Sequence, residues 1–103
     1  ISAEQLVKML TIMNKSKFRQ EFLVSLPVAG TGTLSGFRTT DFPGQSLRCK
    51  SGSIDKVMSY AGYLRCDSGR EEAFAVLVNN YPCSSQEMGR KLQKLLLSIK
   101  TAF

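Results

Sequence analysis

A chain of 103 residues, 43% of them hydrophobic and 21% charged, has the make-up of one small globular domain and excludes a disordered segment. Fourteen Lys and Arg against eight Asp and Glu give a formal charge of +6. That excess would suit an anionic partner, but Lys8, Arg19, Lys50, Arg65 and Lys94 are spread as solvated faces are. The absence of histidine excludes Ser-His-Asp and Cys-His catalysis and any His-ligated metal, and no apolar run is long enough to span a bilayer.

The chain opens Ile1-Ser2-Ala3, without a methionine or the apolar core of a signal peptide, which reads as a processed or excised start. Ser2-Ala3-Glu4-Gln5 has the spacing of a capping box, and Leu6, Met9, Leu10 and Met13 recur at helical intervals behind it. This predicts a first helix from Ser2 to about Asn14. A second, short helix is expected over Ser16 to Leu23, with Phe18 and Phe22 on one side, and Pro27 closes the helical part.

From Val28 to Gln45, glycines, threonines and Pro43 replace periodicity, which predicts a long structured loop, a feature more often functional than idle. Its "GTGTLSG" places Gly30, Gly32 and Gly36 one residue off the dinucleotide fingerprint, with no strand before it, so phosphate cradling is not expected.

Three antiparallel strands follow. The first runs about Ser46 to Ser53, with Leu47, Cys49 and Ser51 facing opposite to Arg48 and Lys50. The second runs about Val57 to Cys66 across an Ile54-Asp55-Lys56 hairpin. Beyond the strong Asp67-Ser68-Gly69 turn, the third covers Glu72 to Asn79, whose "AFAVLV" reads as apolar on both faces. A last helix starts after Pro82, with Ser84 and Glu87 spaced as a second capping box. Its stripe of Met88, Leu92, Leu95, Leu96, Ile99 and Phe103 should lie on the sheet. The order is helix, helix, loop, three strands, helix, an α+β arrangement.

The carboxylates are too dispersed to nominate a general acid and base, since Glu71 and Glu72 point to opposite faces of a strand. The three cysteines, Cys49, Cys66 and Cys83, are odd in number and show no C-x-x-C. Buried free thiols are the simpler reading and a disulfide in an oxidising compartment the other. No metal or cofactor is expected.

One chemical candidate is left, Lys50-Ser51-Gly52. Composition alone yields K-[ST]-G in roughly one chain in ten of this size. Its place on a strand gives it more weight. In serine acyl-transferases such a strand lines the cleft, with a lysine for positive charge, a hydroxyl for a carboxylate, and a glycine for close approach.

The surrounding blocks make the likeness specific. Leu26 to Gly30 (L-P-x-A-G), Gly32 to Leu34 (G-T-L), Lys50 to Ser53 (K-[ST]-G-[ST]), Ala61 to Tyr63 (A-G-Y) and Phe74 to Asn80 (F-x-x-x-x-N-N) occur in order. With the helix before them, they resemble the C-terminal part of D-alanyl-D-alanine carboxypeptidase/endopeptidases, the low-molecular-mass, class C penicillin-binding proteins. The resemblance covers essentially all of residues 1–103. It departs in a loop one residue shorter, which lacks the acidic residue many relatives carry.

The resemblance implies the C-terminal part of the penicillin-binding, β-lactamase-like transpeptidase fold and a bacterial, extracytoplasmic setting. It implies an acyl-serine reaction on peptidoglycan peptides, with β-lactams as inhibitors. It gives Lys50, Ser51 and Gly52 to the catalytic wall and the Ser53 N–H to the oxyanion hole. The nucleophile motif S-x-x-K and the S-x-N motif should lie before Ile1, so the nucleophile is expected outside this chain, which alone should be silent. The S-x-x-K match at Ser53 to Lys56 sits at a strand end and is expected to be coincidental. The "AFAVLV" edge, short of its neighbour, is expected to favour self-association. The readings outside this class are a non-catalytic module for peptidoglycan or another anionic polymer, and a nucleic-acid binder. The latter has only the charge in its favour and is not expected.

Overall fold

The computed structural model describes residues 2–54 and 56–103. Helix α1 covers Ala3–Asn14. The Gln5 N–H donates to the Ser2 hydroxyl at 3.1 Å and the Ser2 N–H donates to the Gln5 amide oxygen at 2.8 Å, so the box closes both ways. Helix α2 is shorter than expected, Arg19–Val24. The Ser16 hydroxyl accepts from the Phe18 N–H at 3.2 Å, which holds Ser16 to Phe18 as a turn and delays the helix. Phe18 and Phe22 also part company. Phe22 packs edge-on against Tyr63, while Phe18 stays 57% exposed beneath the Lys17 ammonium.

Strands β1 (Leu47–Ile54), β2 (Val57–Arg65) and β3 (Glu71–Asn79) form an antiparallel sheet in that order. Ile54 pairs with Val57, and the centre of the hairpin between them, Asp55, lies outside the described residues. Asp67-Ser68-Gly69 turns β2 into β3, with Gly69 at φ +95°. Helix α3 spans Ser85–Ala102, and the Ser84 hydroxyl accepts from the Glu87 N–H at 3.1 Å.

The two faces of the sheet have different covers. Leu47, Cys49, Leu64, Met58 and Tyr60 are buried on one face, with Phe74, Val76 and Val78 packed against them. Leu34, Phe37 and Phe42 of the 28–45 loop and Leu92 and Leu96 of α3 complete this core. The stripe of α3 is therefore narrower than the sequence predicts. Leu95 and Phe103 are exposed, and Lys100 is buried instead, donating to Asp67 in the β2–β3 turn. On the other face α1 lies across β2 and β3, and the buried Tyr63 hydroxyl donates to the Leu10 carbonyl at 2.6 Å.

The loop earns its length by burial. Gly30, at φ +84°, takes a backbone shape that favours glycine, and its N–H donates to the Leu34 carbonyl at 2.9 Å. This closes a short 3-10 turn, Gly32–Leu34, that drives Leu34 into the core. Phe37 then meets Tyr60 and Phe42 edge-to-face, at ring separations of 5.4 and 5.7 Å.

Gly62 is the tightest point in the sheet. A Cβ there would lie 2.1 Å from the Arg48 carbonyl oxygen and 2.5 Å from the Cys49 Cα, so β1 approaches as no side chain would permit. Gly62→Ala should lower stability by about 2–4 kcal/mol or prevent folding, as over-packing against backbone does. Gly89→Ala, in α3 with open space around it, should instead add about 0.5–1 kcal/mol. Urea denaturation of both variants checks the pair.

Candidate functional site

The free edge of β1 is divided in two. The Cys49 N–H points away from β2 and donates to the Pro27 carbonyl at 3.1 Å, and Val28 bridges to Arg48. The L-P-x-A-G segment thus clamps the edge as far as Cys49. In an antiparallel strand every second residue turns its N–H and C=O to the same side. Ser51 and Ser53 therefore also present their peptide groups outward, along a stretch the loop leaves uncovered.

Arg48 fixes the clamp from the other side. Its Nη1 donates to the carbonyls of Leu23 and Leu26, at 2.9 and 3.3 Å, at the C-terminal end of α2. The Leu23 carbonyl also accepts from the Leu26 N–H at 3.1 Å, and a guanidinium suits carbonyls at a helix end. Arg48, Tyr63 and Gly62 thus position β1 without lying on its open edge.

Lys50 and Ser51 point their side chains to opposite faces, as the strand period requires. They meet over the edge, where the Lys50 ammonium donates to the Ser51 carbonyl at 2.6 Å. Lys50, Gly52 and Ser53 are exposed and Ser51 is half-buried. At Gly52 a Cβ would come within 2.8 Å of the Ser59 hydroxyl on β2. That glycine therefore also makes room for its cross-strand neighbour. The edge is an open rim, and the clefts beside α1, α2 and α3 are lined by other residues.

The second S-x-x-K residue does not join this edge. The Lys56 ammonium donates to the Cys83 carbonyl at 3.0 Å and lies over the Tyr81 ring, 5.4 Å from its centre. It leaves Ser53 without a base from that side. Cys49, beside Lys50 in sequence, is fully buried on the opposite face. Burial pushes its thiol up to about 12, against a smaller opposing pull from the Lys50 charge. A thiol so held is not a nucleophile at neutral pH. All three cysteines are free, and among the described residues no cluster of His, Cys, Asp and Glu could hold a metal ion.

Sequence reasoning picked out the edge and missed what holds it. Arg48 and Tyr63 looked like ordinary strand residues, and only the A-G-Y block carried a signal for Tyr63. The Pro27 carbonyl has no side-chain signature at all.

The chain belongs to the D-Ala-D-Ala carboxypeptidase 3 (S13) family, whose model matches residues 1–102. Its fold is that of part of penicillin binding protein 4 (dacB) from Haemophilus influenzae. One structure of that protein, complexed with a novel β-lactam, superposes over 98% of this chain with a TM-score of 0.79 at 19% identity. A second superposes over 96% with a TM-score of 0.75 at 22% identity. The chain spans about a quarter of the length of these structures, 25% and 23%. No curated protein matches it. No helix among the described residues is long and apolar enough to cross a membrane.

The burial of the thiols is open to a direct check. In the native protein Cys49 and Cys66 should resist a disulfide reagent at pH 8, while the half-exposed Cys83 reacts first. Denaturant should release all three. Rapid native modification of Cys49 would contradict the burial described above.

Proposed function

We propose that residues 1–103 are the C-terminal portion of a serine-type D,D-carboxypeptidase/endopeptidase acting on peptidoglycan peptides, and that they supply one wall of its cleft. The observation that carries this is the open half of β1. It begins where K-S-G-S begins and turns the peptide groups of Ser51 and Ser53 outward. Membership of the carboxypeptidase family over the whole chain supports the substrate class, peptides ending in D-Ala-D-Ala, and an extracytoplasmic setting.

On this reading each residue has a separate task. The Lys50 ammonium lies within reach of the edge and provides positive charge for the substrate carboxylate and for the nucleophile's proton. The Ser51 hydroxyl accepts or donates a hydrogen bond at that carboxylate, and Gly52 keeps the edge clear for an extended peptide. The Ser53 N–H stabilises the oxyanion as the serine adds to the carbonyl. The serine, its base and the second oxyanion donor come from outside residues 1–103. A β-lactam, as in the Haemophilus influenzae complex, would be held by the same edge.

A fluorescent penicillin distinguishes the parts of this proposal. The protein that also carries the serine should be labelled covalently, and residues 1–103 alone should not. Lys50→Ala in the longer protein should slow labelling about 100-fold or more, the scale on which oxyanion and positioning groups act. Labelling of the short chain would reinstate Ser53 as a nucleophile, and an unaffected Lys50→Ala variant would reduce Lys50 to a strand residue.

The β3 edge bears on the behaviour of the isolated chain. Among the described residues β3 pairs with β2 alone, and its outer edge runs through Ala73 to Val78. Such an edge is a template for another strand. Light scattering should show mass rising above 11.4 kDa with concentration, and a constant monomer mass would refute self-association.

A further inference from the structure

We propose that the cleft between α2 and the start of β1 binds a compact oxyanion group, a carboxylate or phosphate-type acid. The cleft holds about 200 Å³ and is lined by Arg19, Ser46, Arg48, Tyr63, Arg65 and Glu71, among others. It lies apart from the open edge. None of Lys50 to Ser53 lines it, and Arg48, its member nearest that edge, is two residues from Lys50, about 7 Å at 3.3 Å per residue.

Charge is the first argument. Three guanidiniums face one carboxylate, and that carboxylate is spent weakly, since Glu71 meets Arg19 at 3.7 Å. Among the described residues Arg65 makes no ion pair. Arg48 is the anchor. Its Nη1 is held on the Leu23 and Leu26 carbonyls, which fixes the guanidinium plane and leaves its other N–H groups to serve a ligand. A pre-set guanidinium fork matches the paired oxygens of carboxylate and phosphate alike.

The floor of the cleft supplies the second argument. The Ser46 hydroxyl is buried and has no hydrogen-bond partner among the described residues, the residue being 9% exposed. The Arg65 N–H donates to the Ser46 carbonyl at 2.7 Å, which extends the β1–β2 register by one pair. Alternation from Leu47, which points into the core, then puts the Ser46 side chain on the face of Arg48 and Tyr63. A buried hydroxyl left unpaired is costly, and here its residue lines the same cleft as three cationic side chains. An oxyanion would accept from the hydroxyl and from the guanidiniums together. The volume admits a few water-sized groups, so the ligand is a small acid or the acidic end of a larger one.

The proposal is independent of the cell-wall reading and is tested on residues 1–103 without a substrate. Backbone amides are followed by NMR while acetate, or separately phosphate, is added at constant ionic strength, with chloride as reference. At least one oxyanion should give saturable shifts centred on Ser46, Arg48 and Arg65 that chloride does not reproduce. Arg65→Gln, at an exposed position, should weaken that binding about tenfold or more while leaving the rest of the spectrum unchanged. Ser46→Ala should weaken it too, whereas Lys50→Ala should not. A response to acetate alone marks a carboxylate site and one to phosphate alone a phosphate site. Shifts that never saturate, that spread equally over Lys91 and Lys94, or that survive Arg65→Gln would overturn the proposal.

Discussion

The architecture turns on the contact between Gly62 and Cys49. Because Gly62 has no Cβ, β1 can lie against β2 so closely that a methyl group would fall within 2.1 Å of a carbonyl oxygen. At that spacing Cys49 buries its side chain in the core and sends its N–H outward to the Pro27 carbonyl. One residue pair thus joins the sheet, the core and the loop. Where β1 sits decides where its edge begins to be free, and so where Lys50 and Ser51 stand. The A-G-Y block is in this sense part of the candidate site without touching it.

The two faces of the sheet carry different kinds of adhesive. Against α3 and the loop the contacts are apolar, with Leu34, Leu47, Leu64, Leu96 and Phe42 nearly inaccessible to water. Against α1 and α2 the buried Leu10 and the Phe22–Tyr63 ring contact are joined by a few directed bonds, Tyr63 to Leu10 and Arg48 to Leu23 and Leu26. Directed bonds to helix carbonyls set the angle of a helix as well as its proximity. They hold α1 and α2 in place while Ile12, at 70% exposure, and Phe18 remain in water.

Much of this was legible in the residues, for physical reasons that can be named. Alternation over Leu47 to Lys50 gives the strand and the opposed faces of Cys49 and Lys50, because a two-residue period is visible in four residues. Ser2 with Gln5 marked the first helix, because a capping box is local. The composition of residues 28–45 predicts a structured loop but not its share of the core. Leu34, Phe37 and Phe42 have no common period, and their burial depends on the positive φ of Gly30. The buried stripe of α3 is narrower than its hydrophobic residues predict for a related reason. Hydrophobic residues show which side can be buried, whereas the ion pair of Lys100 with Asp67 decides how the helix is rolled. The candidate edge was found by its tripeptide, and its supports were not, since a clamp made of main-chain atoms leaves no trace in the side chains.

That clamp is made of peptide groups, and peptide groups do not ionise in the range where proteins survive. Pro27 and Cys49 hold the edge of β1 by a carbonyl and an N–H, and the Arg48 guanidinium braces it. The thiol nearest to it is kept protonated by burial, and so is the phenol of Tyr63 behind it, whose pKa burial raises. The main-chain clamp itself therefore gains and loses no charge over the physiological range.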